Sequence, residues 1–391
     1  MSRLRVALVR GPFLNAYECQ SYAPLRESYD ITAFASRRRL HAIDALPFPV
    51  VELPAATGWP ARAQWAAALA SDAAARLTFG EGRYLPGLVE RLRDFDIAHT
   101  VETAHAFSGQ AVEARRRFGC RVVVTVWENI PFNRKAYSRR AYRDVRPRVL
   151  READAFLAIT ERAREALLLE GADAGRIRVI PMGVDLERFR PAPPDMALRR
   201  RLGLADDSVV VLSVGSMAPA KGLAVLLHAV ARARLDPDLR TLPLRVLLVG
   251  RDVGGARRMV ADLGLADTVR RLDYVAYGDM PALYNLAALH VLPSVSTPTW
   301  QEQFGMVLLE SLASGTAVLS TTSGSIPEVV GDAGVLVPAA DHVSLYQAMK
   351  ALLLEPARRA ALATAGRRRA EATFDTLRVA KQIAELYESI A

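Results

Sequence analysis

The chain has 391 residues, 51% of them hydrophobic and 24% charged, and carries a formal net charge of +9. That length exceeds what one hydrophobic core serves, so two domains are expected, and the composition is that of an ordinary soluble globular protein. Of the 51 basic residues four are lysine (Lys135, Lys221, Lys350, Lys381) and 47 arginine; the excess favours phosphate-bearing substrates or a membrane surface, while no zinc finger or RNA-recognition signature points to nucleic acid.

No apolar stretch reaches the roughly 18 residues of a membrane span. Residues 1–9 are too short for a signal peptide and lack a cleavage pattern, so a cytoplasmic location is expected. Cys19 and Cys120 offer neither a disulfide framework nor a metal cluster.

Short β-branched runs alternate with helical patterns along the chain, as in parallel sheets covered by helices. Strands are predicted at Arg5–Val9, Asp30–Phe34, Val50–Leu53, Asp96–Thr100, Arg121–Val126, Ala155–Ile159 and Ile177–Ile180. The segment Phe189-Arg190-Pro191-Ala192-Pro193-Pro194-Asp195 then reads as a linker, because proline neither continues a helix nor donates to a central sheet. A second series follows at Ser208–Val214, Leu244–Val249, Val269–Leu272, Leu289–Leu292, Ala317–Ser320 and Gly334–Val337. Its apolar runs are near-continuous, as expected of strands buried on both faces. Leu377, Ala380, Ile383, Leu386, Tyr387 and Ile390 recur at helical spacing near the end. The expected architecture is α/β, with domains over residues 1–190 and 191–374 and a final helix, 375–391, packing back on the first.

The most informative stretch is Pro293-Ser294-Val295-Ser296-Thr297-Pro298-Thr299-Trp300-Gln301-Glu302-Gln303-Phe304-Gly305-Met306-Val307-Leu308-Leu309-Glu310. A strand ends, a turn-rich loop follows and a helix opens near Phe304–Gly305, and ligands of open α/β sheets bind at such strand ends. The amides of Gly305, Met306 and Val307 are first-turn donors at the positive end of the helix dipole, suited to phosphate. Glu302 lies before the helix and Glu310 inside it, roughly 8 Å along the axis from the helix start at about 1.5 Å per residue. One carboxylate can then accept from hydroxyls of a transferred sugar and the other from a ribose. Two ordinary solvated glutamates would show the same spacing, so the context decides.

In that context, residues Pro293 to Val337 resemble the retaining family-4 glycosyltransferases, whose signature is Glu-x7-Glu after a Pro-Ser strand end. Phe304-Gly305 matches the end of the usual Glu-Gly-Phe-Gly, with Gln303 in place of the first glycine. Glu310-Ser311-Leu312-Ala313-Ser314-Gly315-Thr316-Ala317-Val318, Gly324-Ser325-Ile326-Pro327-Glu328-Val329-Val330, Val179-Ile180-Pro181-Met182-Gly183-Val184-Asp185 and Met280-Pro281-Ala282-Leu283-Tyr284 are similar to that family too. The resemblance covers at least Asp154 to Val337. It implies a GT-B fold, two Rossmann-like doubly wound domains facing across a cleft, with the acceptor served by the first and a nucleotide-diphosphate sugar held by the second. It implies retention of anomeric configuration, no cofactor and no metal. The acceptor would be a carbohydrate, a lipid-linked molecule or another small molecule.

Residue by residue, the resemblance gives Lys221, in Val214-Gly215-Ser216-Met217-Ala218-Pro219-Ala220-Lys221-Gly222, the donor-phosphate lysine. Ser216 stands where an arginine is expected, and Arg251, at the next strand end, is the candidate replacement. Glu302 would position the donor sugar rather than act as nucleophile, and Glu310, Phe304 and Gly215 would complete the donor side. Gly11 alone replaces the paired glycines of many relatives. Trp127 stands where many have a histidine aimed at the sugar, with Glu128 and Asn129 as acceptor-side candidates and His105 beyond another strand end. Lys135, Arg139, Tyr142, Arg146 and Leu150 fall on one helical stripe, a candidate for peripheral contact with anionic lipid, which Pro147 would interrupt.

Three rivals remain open: a GT-B phosphorylase, which would depend on inorganic phosphate; a sugar-nucleotide epimerase; and a non-catalytic sugar-nucleotide binder, which would not hydrolyse the donor. A dehydrogenase is disfavoured, since Gly250-Arg251-Asp252-Val253-Gly254 lacks Gly-x-Gly-x-x-Gly.

Overall fold

The computed structural model describes residues 3–38, 40, 41, 43, 46–54, 83–134 and 140–391. Each of the thirteen predicted strands is present, with ends shifted by at most two residues. They divide into two compact units.

The first unit runs to Gly183 and regains Thr376–Ala391. Its strands are β1 (Arg5–Gly11), β2 (Asp30–Ser36), β3 (Val50–Leu53), β4 (Ile97–Val101), β5 (Arg121–Val126), β6 (Ala155–Ala158) and β7 (Ile177–Val179). All pair in parallel, in the order β3-β2-β1-β4-β5-β6-β7. The order reverses at the β1–β4 junction, which makes the strand carboxyl ends there the natural ligand crevice.

β1 runs farther than its apolar pattern predicts and takes Arg10 into the sheet, where the side chain is 0% exposed. Its Nε donates to Glu18 Oε1 at 2.5 Å, Nη2 to the Tyr22 hydroxyl at 2.8 Å and Nη1 to the His99 carbonyl at 2.9 Å. The same network reaches the final helix: His99 bonds Tyr387 through Nδ1 at 2.6 Å and Thr125 through Nε2 at 2.7 Å. Breaking one partner of a buried pair strands a charge, so Glu18→Gln should destabilise the protein by about 3–5 kcal/mol. A shift in the denaturant midpoint at constant slope would measure it.

The second unit is Val184–Asp375. It contains β8 (Val209–Val214), β9 (Leu244–Val249), β10 (Val269–Leu272), β11 (Leu289–Leu292), β12 (Val318–Thr321) and β13 (Val335–Val337). These are parallel in the order β10-β9-β8-β11-β12-β13, with the switch between β8 and β11. Leu227, Val246, Leu319 and Met349 lie in its core, where helices Leu223–Arg234 and His342–Leu354 cover one face.

The proline-rich stretch read as a linker belongs to this unit. Phe189 is fully buried and packs on the Tyr277 and Tyr284 rings. The Asn285 side chain accepts from Ala192 N at 3.0 Å and donates to Arg190 O at 3.1 Å, satisfying backbone that the prolines leave outside any helix or sheet. Proline content marked irregular backbone correctly, but Phe189 and Asn285 pin that backbone to the domain.

Candidate donor site and the strand ends of the first unit

The loop after β8 runs from Gly215 through Met217 to a single 3-10 turn, Pro219–Lys221. Gly222 follows at φ 74°, and a Cβ there would lie 1.8 Å from the Pro293 carbonyl oxygen. Only glycine permits both the conformation and that approach. The contact seats Lys221 against the carboxyl end of β11, and Val295 N donates to Ala220 O at 2.8 Å to close the junction.

Glu302 is fixed from the other side. A Cβ on Gly324 would stand 2.0 Å from the Glu302 carbonyl oxygen, which accepts from Ser325 N at 2.9 Å. Its carboxylate, 6% exposed, receives Lys221 Nζ at 3.0 and 2.8 Å and Ser294 Oγ at 2.7 Å. The Trp300 ring lies 4.9 Å from the same ammonium. Sequence reasoning gave Lys221 and Glu302 separate tasks; the fold joins them in one ion pair, and it adds Ser294 and Trp300, which that reasoning did not single out.

Gly305 stands at the N-cap of the helix Met306–Ala313 at φ 90°, where it brings no capping side chain, and Phe304 is buried against Phe374. Glu310, inside this helix, is 3% exposed. Its Oε2 accepts from the Tyr284 hydroxyl at 2.8 Å, and Tyr277 bonds the same carboxyl group. Burial pushes its pKa up to about 7 despite the two phenols and Arg188. Ser216 and Arg251 are exposed on neighbouring loops, which Met217 N ties together by donating to Arg251 O at 2.9 Å.

In the first unit, Gly11 at φ 56° ends β1 where its pairing with β2 shifts register. Glu102, directly after β4, has φ 62°, an uncommon conformation for a residue other than glycine. Its Oε1 accepts from Trp127 N at 3.0 Å and Glu128 N at 3.1 Å, just past β5. Burial, then the nearby Glu128 charge, raise the Glu102 pKa to about 7. Glu128 itself accepts from Ile130 N at 2.9 Å and Asn133 Nδ2 at 2.8 Å. His105 caps the helix Ala106–Phe118 and stacks on Phe13 at 5.1 Å; burial and Arg83 hold it neutral, well below the usual imidazole range. Asn129 is buried beside them in the chain. The strand ends thus gather Trp127, Glu128 and Glu102, and Glu102 is the residue sequence reasoning missed. A carboxylate directly after a strand was its available signal.

The basic stripe fares differently. Lys135 and Arg139 lie outside the described residues, as does the Tyr142 side chain. The helix Arg140–Glu152 runs through Pro147 without ending. Arg146 is buried in an ion pair with Glu170, and Leu150 is buried too, so this half of the stripe faces the core rather than solvent. Among the described residues no helix is long and apolar enough to cross a membrane.

Two parallel-sheet Rossmann-like units, with a lysine–glutamate pair at a strand switch of the second, define a protein of the GT-B glycosyltransferase fold. Solved structures share it over the whole chain. HepE from Anabaena, in complex with UDP and glucose, superposes with a TM-score of 0.76 at 19% identity, covering 99% of this chain and 100% of that one. Sucrose-phosphate synthase from Thermosynechococcus elongatus gives 0.73 at 22% identity, with 99% of each chain covered. Residues 195–369 match the family described as glycosyl transferases group 1, and residues 18–183 match a glycosyl transferase 4-like domain. A D-inositol 3-phosphate glycosyltransferase of Actinosynnema mirum is 34% identical over 301 residues, 72% of this chain and 68% of that protein. The chain therefore belongs to the group 1 glycosyl transferases. A protein of the same name from Geodermatophilus obscurus is 37% identical over 253 residues, 62% of this chain. The match takes in 54% of that relative and 52% of the one from Salinispora tropica, so the chain spans about half the length of these relatives.

Proposed function

We propose that the chain is a retaining, metal-independent glycosyltransferase that moves a sugar from a nucleotide-diphosphate sugar to a hydroxyl-bearing acceptor. The observation that carries this reading is the Lys221–Glu302 pair, held at the carboxyl end of β11 by glycine contacts on both sides. The bond from the anomeric carbon to the diphosphate oxygen breaks, and one to the acceptor oxygen forms on the same face. The acceptor proton passes to the departing phosphate oxygen, and the Lys221 ammonium offsets the charge growing on that diphosphate. Glu302, with Ser294 beside it, accepts from hydroxyls of the transferred sugar. Glu310 takes the ribose hydroxyls, and the amides of Gly305, Met306 and Val307 with Arg251 serve the phosphates. Ser216 leaves Lys221 without the partner arginine of the resemblance.

HepE was solved with UDP and with UDP-glucose, which supports a nucleotide-sugar donor here. The relatives' name suggests an inositol phosphate as one acceptor to try. In the first unit Trp127, Glu128, Asn129, Glu102 and His105 are the acceptor-side candidates, and neutral polyols should be tried alongside it.

The test is thermal shift with nucleoside diphosphates, followed by release of nucleotide from the matching sugar donor. A rise in melting temperature with one diphosphate and slow hydrolysis of its sugar are expected. Release should persist in EDTA, since charge on the diphosphate is met by Lys221; a strict requirement for magnesium or manganese would refute metal independence. Turnover that depends on inorganic phosphate would indicate a phosphorylase instead.

A further inference from the structure

The geometry points to Trp300 as the positioning residue of Lys221, holding the ammonium by its ring face so that the lysine keeps its full charge for the departing diphosphate. The inference rests on the donor reading above. Lys221 reaches its place from a single 3-10 turn, and its side chain is 26% exposed, so neither helix nor core fixes the ammonium. Two things do: the Glu302 carboxylate at 2.8 and 3.0 Å, and the Trp300 ring at 4.9 Å.

These two holds differ in kind. A carboxylate holds the ammonium by counter-charge, which cancels much of what the lysine can offer an anion. An indole attracts a cation through its quadrupole and adds no net charge. Once a sugar hydroxyl engages Glu302, the indole is the contact that still fixes the ammonium.

Trp300 is itself held for that purpose. Residues Thr297–Trp300 close on themselves: Thr297 N donates to Trp300 O at 2.7 Å, Thr297 Oγ1 to the same oxygen at 3.1 Å, and Trp300 N to Thr297 O at 3.4 Å. The ring is therefore carried on a braced turn rather than on an open loop. With Ser216 in place of an arginine, one lysine bears this charge on the β8 loop, and its placement matters correspondingly more.

The experiment compares W300F with W300L in the full chain. Phenylalanine keeps a π face, whereas leucine keeps apolar bulk without one. UDP and UDP-glucose affinities are read by calorimetry, and kcat by UDP release from UDP-glucose without acceptor; guanosine and adenosine diphosphates and their glucose donors are run in parallel. W300L should lose about tenfold in kcat, while W300F stays within about threefold of the parent. Affinity for intact UDP-glucose should move by no more than about threefold in either, because the contact counts as charge develops, whereas affinity for UDP, which carries that charge in full, should fall in W300L. Equal kcat in W300L and W300F, whether both fall or both hold, would overturn the inference and leave Trp300 a packing residue. No binding of any diphosphate by the unaltered protein would instead overturn the donor reading itself.

Discussion

Lys221→Ala should lower donor turnover by about 10²–10³-fold, the loss expected when one preorganised electrostatic contact is removed. The same change leaves the Glu302 carboxylate, 6% exposed, with Ser294 but without its cation. Some stability will therefore be lost, and that loss must be separated from chemistry. Pairing Lys221→Met with Glu302→Gln removes both charges together, and isosteric neutral replacement of a buried pair is often near neutral for stability. If Lys221 acts on the diphosphate, the double variant regains its melting temperature while kcat stays low. Glu302→Gln alone should reduce turnover more than diphosphate affinity. A double variant that recovers both stability and rate would show the pair to be structural.

The sheets were legible because parallel strands buried on both faces announce themselves as apolar runs. Leu244–Val249 and Leu289–Leu292 are such runs and became β9 and β11 with those bounds. β1 escaped in part, because a fully buried arginine contradicts the pattern that defines a strand; Arg10 is tolerated there only because Glu18, Tyr22 and the His99 carbonyl take its donors. The proline-rich stretch was misplaced for a related reason. Composition shows that backbone is irregular, but not that Phe189 fills a core. At the site, Lys221, Glu302 and Glu310 were legible through spacing and resemblance. Their partners were not: Trp300 lies 79 positions from Lys221 in the chain, and nothing local announces a contact that only folding creates. Tyr284 was quoted for its motif, whereas its bond to Glu310 is a property of the packed helix pair. Of the basic stripe, Arg146 and Leu150 turn inward, Arg146 to Glu170, since helical periodicity finds a face but cannot say which way it turns.

Nucleotide-sugar affinity should rise as pH increases through about 7, and Glu310→Gln should abolish that rise. Glu310 has its pKa lifted from 4.5 to about 7 by burial, so its carboxyl is largely neutral below that pH. The ionised form accepts two ribose hydroxyls more strongly, by about 1–3 kcal/mol for charged hydrogen bonds. Its surroundings do not titrate in the same window: Tyr284 is raised well above 10.0, and His290, near the Tyr284 ring, is held neutral with a pKa of about 3. A nucleotide-sugar is the proper probe, because a terminal phosphate has a second pKa of about 6 and would titrate itself, whereas a diphosphate diester does not. Stability should run the opposite way. A folded-state pKa above the unfolded value favours the protonated carboxyl, so this contribution is complete below about 4.5 and is lost as pH rises through about 7. Glu310→Gln should remove its share of that fall and abolish the affinity slope, while Glu102, also raised to about 7, keeps its own share of the stability slope. Calorimetric titrations with UDP-glucose at pH 6, 7 and 8, paired with melting temperatures, would read both. A donor affinity that stays flat in the parent, or an affinity slope that survives in Glu310→Gln, would remove Glu310 from the ribose site and leave it a buried partner of Tyr277 and Tyr284.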